Sequence, residues 1–147
     1  FSALVLARAQ AGDRHFFVPV ADPVVTEECG SCHLAFAPSM LPARSWQRMM
    51  GELDNHFGDN ASLDPATAEK ITSYLVANAG DAGGQRYSSK LLKGVATGAA
   101  PQRITELPKW VSEHRKVPDW EWRHKEVRTK ANCVACHTAA EQGYYEE

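Results

Sequence analysis

The chain has 147 residues, 44% hydrophobic and 23% charged, with a formal net charge of −2. That length suits one domain or two small lobes. No segment approaches the ~20 apolar residues of a membrane span, and there is no overall basic excess of the kind that marks nucleic-acid binding.

Residues 1–23 read as an N-terminal arm. Phe1 to Ala11 resembles the tail of a secretory signal, with Ala9-Gln10-Ala11 as an A-x-A cleavage site. It reads equally as an ordinary helix or arm. Short extended pieces are expected at His15–Val20. Cys29-Gly30-Ser31-Cys32-His33 follows, then a proline-bounded stretch with Pro38 and Pro42. A helix is predicted from about Ala43 to Phe57. Trp46, Met49, Met50, Leu53, His56 and Phe57 fall on one face at helical spacing, and Gly58 is a natural stop. The next helix carries Asp64 as N-cap, Pro65 at its first position and Gly80 past its end. Residues 80–101 are rich in Gly, Ser and Ala and read as a linker. Short helices are expected from Pro108 to Arg115 and, after Pro118, from Trp120 to Lys130. Cys133-Val134-Ala135-Cys136-His137 lies near the C-terminus, its presumed helix ended by Gly143. The fold class is therefore mainly α, with lobes at 24–85 and 86–147, each holding one of the two repeated motifs.

Cys-x-x-Cys-His is the attachment motif for c-type haem. The two thiols bond to the porphyrin and the histidine ligates the iron from one face. All four cysteines of the chain fall inside the two copies. Only six of 147 residues are histidine, so a given neighbour is His by chance about one time in 25. A Cys₄ zinc site would not need a histidine after each pair. A thioredoxin-like motif would need a preceding apolar strand, which Cys29 lacks. A disulfide framework leaves the histidines unexplained. The expected cofactors are two covalently attached haem c groups, held by Cys29, Cys32, His33, Cys133, Cys136 and His137, with short helices and loops wrapped around them. Covalent attachment takes place outside the bacterial cytoplasm, which points to the periplasm.

With His33 and His137 committed, each iron has a second face to fill. His15, His56, His114 and His124 are available, and Met40, Met49 and Met50 compete. His56 is the strongest candidate for the first iron, because it ends the apolar helix face. His114 and His124 compete for the second. His15, in His15-Phe16-Phe17, reads as a packed or exposed residue. The tryptophans at 46, 110, 120 and 122 read as apolar bulk against the macrocycles. If two histidines close each iron, no position is free for substrate, and the chemistry is outer-sphere electron transfer at low potential. The rivals are a dihaem enzyme with one open iron, peroxidase-like, and a haem-based gas sensor.

These residues resemble the bacterial dihaem cytochrome c family of purple bacteria and their relatives. The resemblance rests on Cys29-Gly-Ser-Cys-His-Leu-Ala-Phe, Leu41-Pro-Ala-Arg-Ser-Trp46 and His56-Phe-Gly-Asp-Asn-Ala-Ser-Leu-Asp-Pro65. It resumes at Arg103-Ile-Thr, Pro108-x-Trp-x-x-x-His114 and Asn132-Cys-x-x-Cys-His. It covers most of residues 24–143. It implies bis-histidine ligation of both irons, with His56 and His114 as the second ligands; His124 falls outside these blocks. It also implies a soluble electron carrier with other redox proteins as partners. A small oxygen-binding monohaem cytochrome is the implied acceptor and a membrane cytochrome the implied donor.

Charge is unevenly spread. Residues 1–85 carry net −5, residues 86–130 net +6 and residues 131–147 net −3. Such a dipole can orient a protein towards a redox partner. Positive charge also favours the reduced state of a nearby iron. The second haem is therefore expected to have the higher potential, with electrons passing from first to second. A potentiometric titration resolved by site checks this, and the reverse order contradicts it.

Overall fold

A computed structural model describes residues 15–146. The reading of residues 1–11 lies outside them. Among the described residues six α-helices follow in chain order: α1 Pro23–Gly30, α2 Ala43–Gly51, α3 Pro65–Ala77, α4 Arg86–Leu91, α5 Pro108–His114 and α6 Asp119–Trp122. Short 3₁₀ turns lie at Pro38–Met40, Leu53–Asn55, Ile104–Glu106, Cys133–Ala135 and Ala140–Gln142. No strand forms among the described residues, only isolated bridges between Phe16 and Tyr144 and between His56 and Asp59.

Local chemistry sets the helix starts. Asp22 caps α1 by accepting from the Val24 and Val25 amides, and Pro23 supplies a pre-set first turn. Asp64 does the same for α3, accepting from the Thr67 amide and hydroxyl, with Pro65 behind it. α3 ends at Ala77, three residues before Gly80: the Asn78 side chain shares the Tyr74 carbonyl with its own amide, and the Ala79 amide turns back to the Val76 carbonyl. Gly80 serves packing instead. A Cβ there would lie 2.5 Å from the Ser39 carbonyl oxygen and 2.7 Å from Leu92 Cδ1.

One core joins the two halves of the chain. α2 lies along α3, α1 rests on α3, and α4 touches both α5 and the Pro38–Met40 turn. Val25, Leu41, Trp46, Ile71, Leu75 and Leu107 are buried in it. The Trp46 indole N–H donates to the Pro38 carbonyl at 2.7 Å, which satisfies its one polar atom inside the core.

Four helix expectations change, one of them at the second motif, where two 3₁₀ turns, Cys133–Ala135 and Ala140–Gln142, stand in place of the presumed helix. The helix from Ala43 stops at Gly51 rather than Phe57, because the Glu52 amide turns back to the Met49 carbonyl and the 3₁₀ turn follows. The stretch 80–101 is not all linker. It holds α4, whose Tyr87 and Leu91, one turn apart, anchor it in the core. The helix from residue 120 is only the four residues Asp119–Trp122, and the chain then runs through turns, with Arg128 at φ 65°.

The two ends of the described chain clasp each other. The Phe17 amide donates to the Gly143 carbonyl, and the Tyr145 amide donates to the His15 carbonyl, both at 2.9 Å. Gly143, at φ 91°, ends the Ala140–Gln142 turn, and its missing Cβ would press into the Phe17 carbonyl oxygen. Gly143→Ala is therefore expected to lower the midpoint of thermal unfolding by at least about 3 °C, more than 1 kcal/mol for a chain of this size. Gly51→Ala, inside α2 with open space at its Cβ, is expected to leave the midpoint unchanged or raise it. Circular dichroism melts of the loaded protein read both, and an unchanged midpoint for Gly143→Ala contradicts the clasp.

Candidate functional site

The first motif begins in the last turn of α1. Cys29 is half-buried near the helix end, and Cys32 and His33 lie beyond it, exposed. The Ser31 hydroxyl donates to the Glu28 carbonyl and closes the helix. The His33 ring packs on Phe36 at 5.0 Å, and His33 Nδ1 lies 2.7 Å from the Leu34 carbonyl oxygen. A carbonyl accepts only, so Nδ1 carries the proton and Nε2 keeps its lone pair. His56 arrives from a two-residue turn. Its amide donates to the Asp59 carbonyl at 2.7 Å, and the Asp59 amide returns to the His56 carbonyl at 3.1 Å. The central residues Phe57 and Gly58 have φ of 54° and 98°, the left-handed pair that a type I′ turn requires. Positive φ at a bulky residue such as Phe57 is strained, and Arg103 covers the Phe57 ring at 4.2 Å. The turn sets the His56 ring 6.2 Å from that of His33, with the planes 17° apart.

The second motif forms the Cys133–Ala135 turn, closed by the His137 amide on the Cys133 carbonyl at 2.8 Å. The Asn132 side chain bonds to the Glu126 and Val127 carbonyls and ties the turn to the preceding chain. Tyr145, next to the terminal clasp, flanks His137 at 5.7 Å. His114 comes from the last turn of α5. Its Nδ1 lies 2.8 Å from the Trp110 carbonyl oxygen, which again leaves Nε2 free to donate a lone pair. The His114 and His137 rings are 6.1 Å apart with planes at 80°.

Both separations equal the span of one metal between two imidazoles. A metal–nitrogen bond of about 2 Å on each side, plus roughly 1 Å from each nitrogen to its ring centre, gives roughly 6 Å. Two nitrogens are an incomplete set for a bare ion, and no group of three His, Cys, Asp or Glu residues converges among the described residues. They are a complete axial set for an iron whose other four positions a porphyrin fills. The thiols fit as well. All four cysteines are free. Burial raises the Cys29 thiol and pushes Cys133 up to about 11.

A family described as dihaem cytochrome c matches residues 25–145. The chain belongs to the dihaem cytochrome c family. A diheme cytochrome c from Rhodobacter sphaeroides is 43% identical, with a TM-score of 0.78 over 86% of this chain and 98% of that one. A second Rhodobacter sphaeroides structure gives 41% and 0.71, over 86% and 99%. A diheme cytochrome type c from Shewanella baltica OS155 gives 34% and 0.69, over 84% and 86%. No curated protein matches. This cytochrome thus carries two haem c groups and has the electron-carrier role of its family.

The remaining candidates of the cytochrome lie elsewhere. His15 stacks on Tyr87 at 4.3 Å. His124 is exposed, its Nδ1 accepting from the Glu126 amide. Met40 is buried in the core, and Met49 and Met50 pack against it. The tryptophans split. Trp46 is core, Trp120 is exposed, and Trp110 stacks directly on His114 at 4.0 Å with Trp122 beside both. That contact was not foreseen, although the four-residue spacing of Trp110 and His114 on a helix was the available signal. Electrostatics also departs from the linear tally. Arg103 belongs to the basic stretch yet lies over Phe57, beside the first pair. Burial, His33 and Arg103 together hold His56 below the usual histidine range, against the opposing pull of Asp59.

Proposed function

We propose that this cytochrome is a periplasmic electron carrier in which two imidazoles close each haem iron, His33 with His56 and His114 with His137. Cys29 and Cys32 anchor one haem and Cys133 and Cys136 the other, so that residues 24–85 and 86–147 serve as two haem lobes. The observation that carries this reading is the matched separation of the two histidine pairs, 6.2 and 6.1 Å. His33 and His114 each have Nδ1 on a backbone carbonyl. Such a bond fixes the tautomer, aims Nε2 and makes the ring a stronger donor.

Haem, when bound, supplies the Fe(III)/Fe(II) couple. The chain's own contribution would be to hold one iron between His33 and His56 and the other between His114 and His137, leaving no position for a substrate. Strong imidazole donors favour the oxidised state and keep the potentials low. The partners are other redox proteins, with a membrane cytochrome as donor and a small oxygen-binding monohaem cytochrome as acceptor. No helix among the described residues is long and apolar enough to cross a membrane. Haem attachment outside the cytoplasm supports the periplasmic location.

The rival readings, a peroxidase-like enzyme or a gas sensor, need an iron that a small molecule can reach. Spectra of the reduced protein with and without carbon monoxide distinguish them. The wild type is expected to show no change. His56→Ala and His114→Ala are each expected to bind carbon monoxide at one of the two haems, and His124→Ala at neither. A large shift in the wild type, or an iron opened by His124→Ala, contradicts the proposal.

A further inference from the structure

The two histidine pairs share a separation but not an orientation. The planes of His33 and His56 are 17° apart, and those of His114 and His137 are 80° apart. On the second side His114 is held on two sides. The Trp110 indole lies flat on the His114 ring, 4.0 Å away and 13° from parallel. The Trp110 carbonyl accepts from His114 Nδ1 at 2.8 Å. One residue therefore holds both the edge and the face of the imidazole. Trp122 abuts both rings, at 5.8 Å from Trp110 and 6.1 Å from His114, and backs the stack. Trp110 itself is fixed by α5, whose first turn closes on the fully buried Leu107 through the Val111 amide. Among the described residues nothing comparable lies flat on His56, whose aromatic neighbour Phe57 meets it at 62°.

We propose that Trp110 is a positioning residue that sets the His114 imidazole across the plane of His137, so that the two irons of this chain differ in electronic structure. The inference rests on the bis-histidine reading above. Each imidazole has its filled π orbital perpendicular to its ring, and that orbital raises one of the two iron d orbitals of matching symmetry. Near-parallel rings raise the same orbital twice and split the pair. Near-perpendicular rings raise one each and leave the pair close in energy. In the oxidised, low-spin state a split pair gives a rhombic electron paramagnetic resonance signal with three resolved features. A near-degenerate pair gives one broad feature at low field.

Low-temperature spectra of the oxidised, fully loaded protein test this. The wild type is expected to show both signals, one spin each. Trp110→Leu is expected to lose the low-field feature in favour of a second rhombic signal, and to leave the first signal unchanged. Trp110→Met, which keeps bulk without a ring, repeats the test should the leucine variant not take up haem. Trp110→Phe keeps a ring against His114 and is expected to retain the low-field feature. Two rhombic signals in the wild type overturn the proposal. So does a low-field feature that survives in both Trp110→Leu and Trp110→Met. A high-spin signal from the wild type would instead mean that an iron lacks its second histidine, which is failure of the underlying reading.

Discussion

Two imidazoles that share one iron must stand at a fixed separation, and the chain meets that demand twice. In each pair one ring follows a Cys-x-x-Cys turn, and the other arrives from a different element. His56 is delivered by a strained two-residue turn, His114 by the last turn of a short helix. The rest of the fold serves this placement. α1 carries the first motif and is held by its Asp22 cap and buried Val25. The terminal clasp sets Tyr145 against His137. A covalently tethered macrocycle tolerates short helices and long loops, because it supplies apolar surface that a chain of this size lacks.

The two histidine pairs are built by different means. The first pair depends on backbone. Phe57 and Gly58 both adopt left-handed φ, and Arg103 stacked over Phe57 supports the turn. That cation also brings positive charge from the basic stretch to the acidic half. The second pair depends on side-chain stacking, with Trp110 and Trp122 around His114. A change at either device would alter one iron and spare the other.

Much of this was legible in the sequence. The motifs named the cofactor, and the caps Asp64 and Pro65 marked the start of α3 at the residue where it begins. His56 and His114 stood out, and the structure brings each beside a motif histidine. What escaped had physical causes. The Gly, Ser and Ala of residues 80–101 hid α4, because it is anchored by the burial of Tyr87 and Leu91 and tertiary contact outweighs weak propensity. The apolar face of α2 continued in register to Phe57, yet the backbone turned after Gly51 to present His56. Trp110 looked like filler because the sequence gives the spacing of two rings but not which surface covers them. Charge counted along the chain missed Arg103, because folding carries it across to the other half.

The central claim is that both irons are closed by nitrogen from histidine. Near-infrared magnetic circular dichroism of the oxidised wild-type protein reads the axial ligands of low-spin haem directly, through the energy of the porphyrin-to-iron charge-transfer band. The account predicts intensity only where bis-imidazole haem absorbs, and enough of it for two haems per chain. A band at the position of histidine–methionine ligation, or high-spin intensity from either iron, would contradict it.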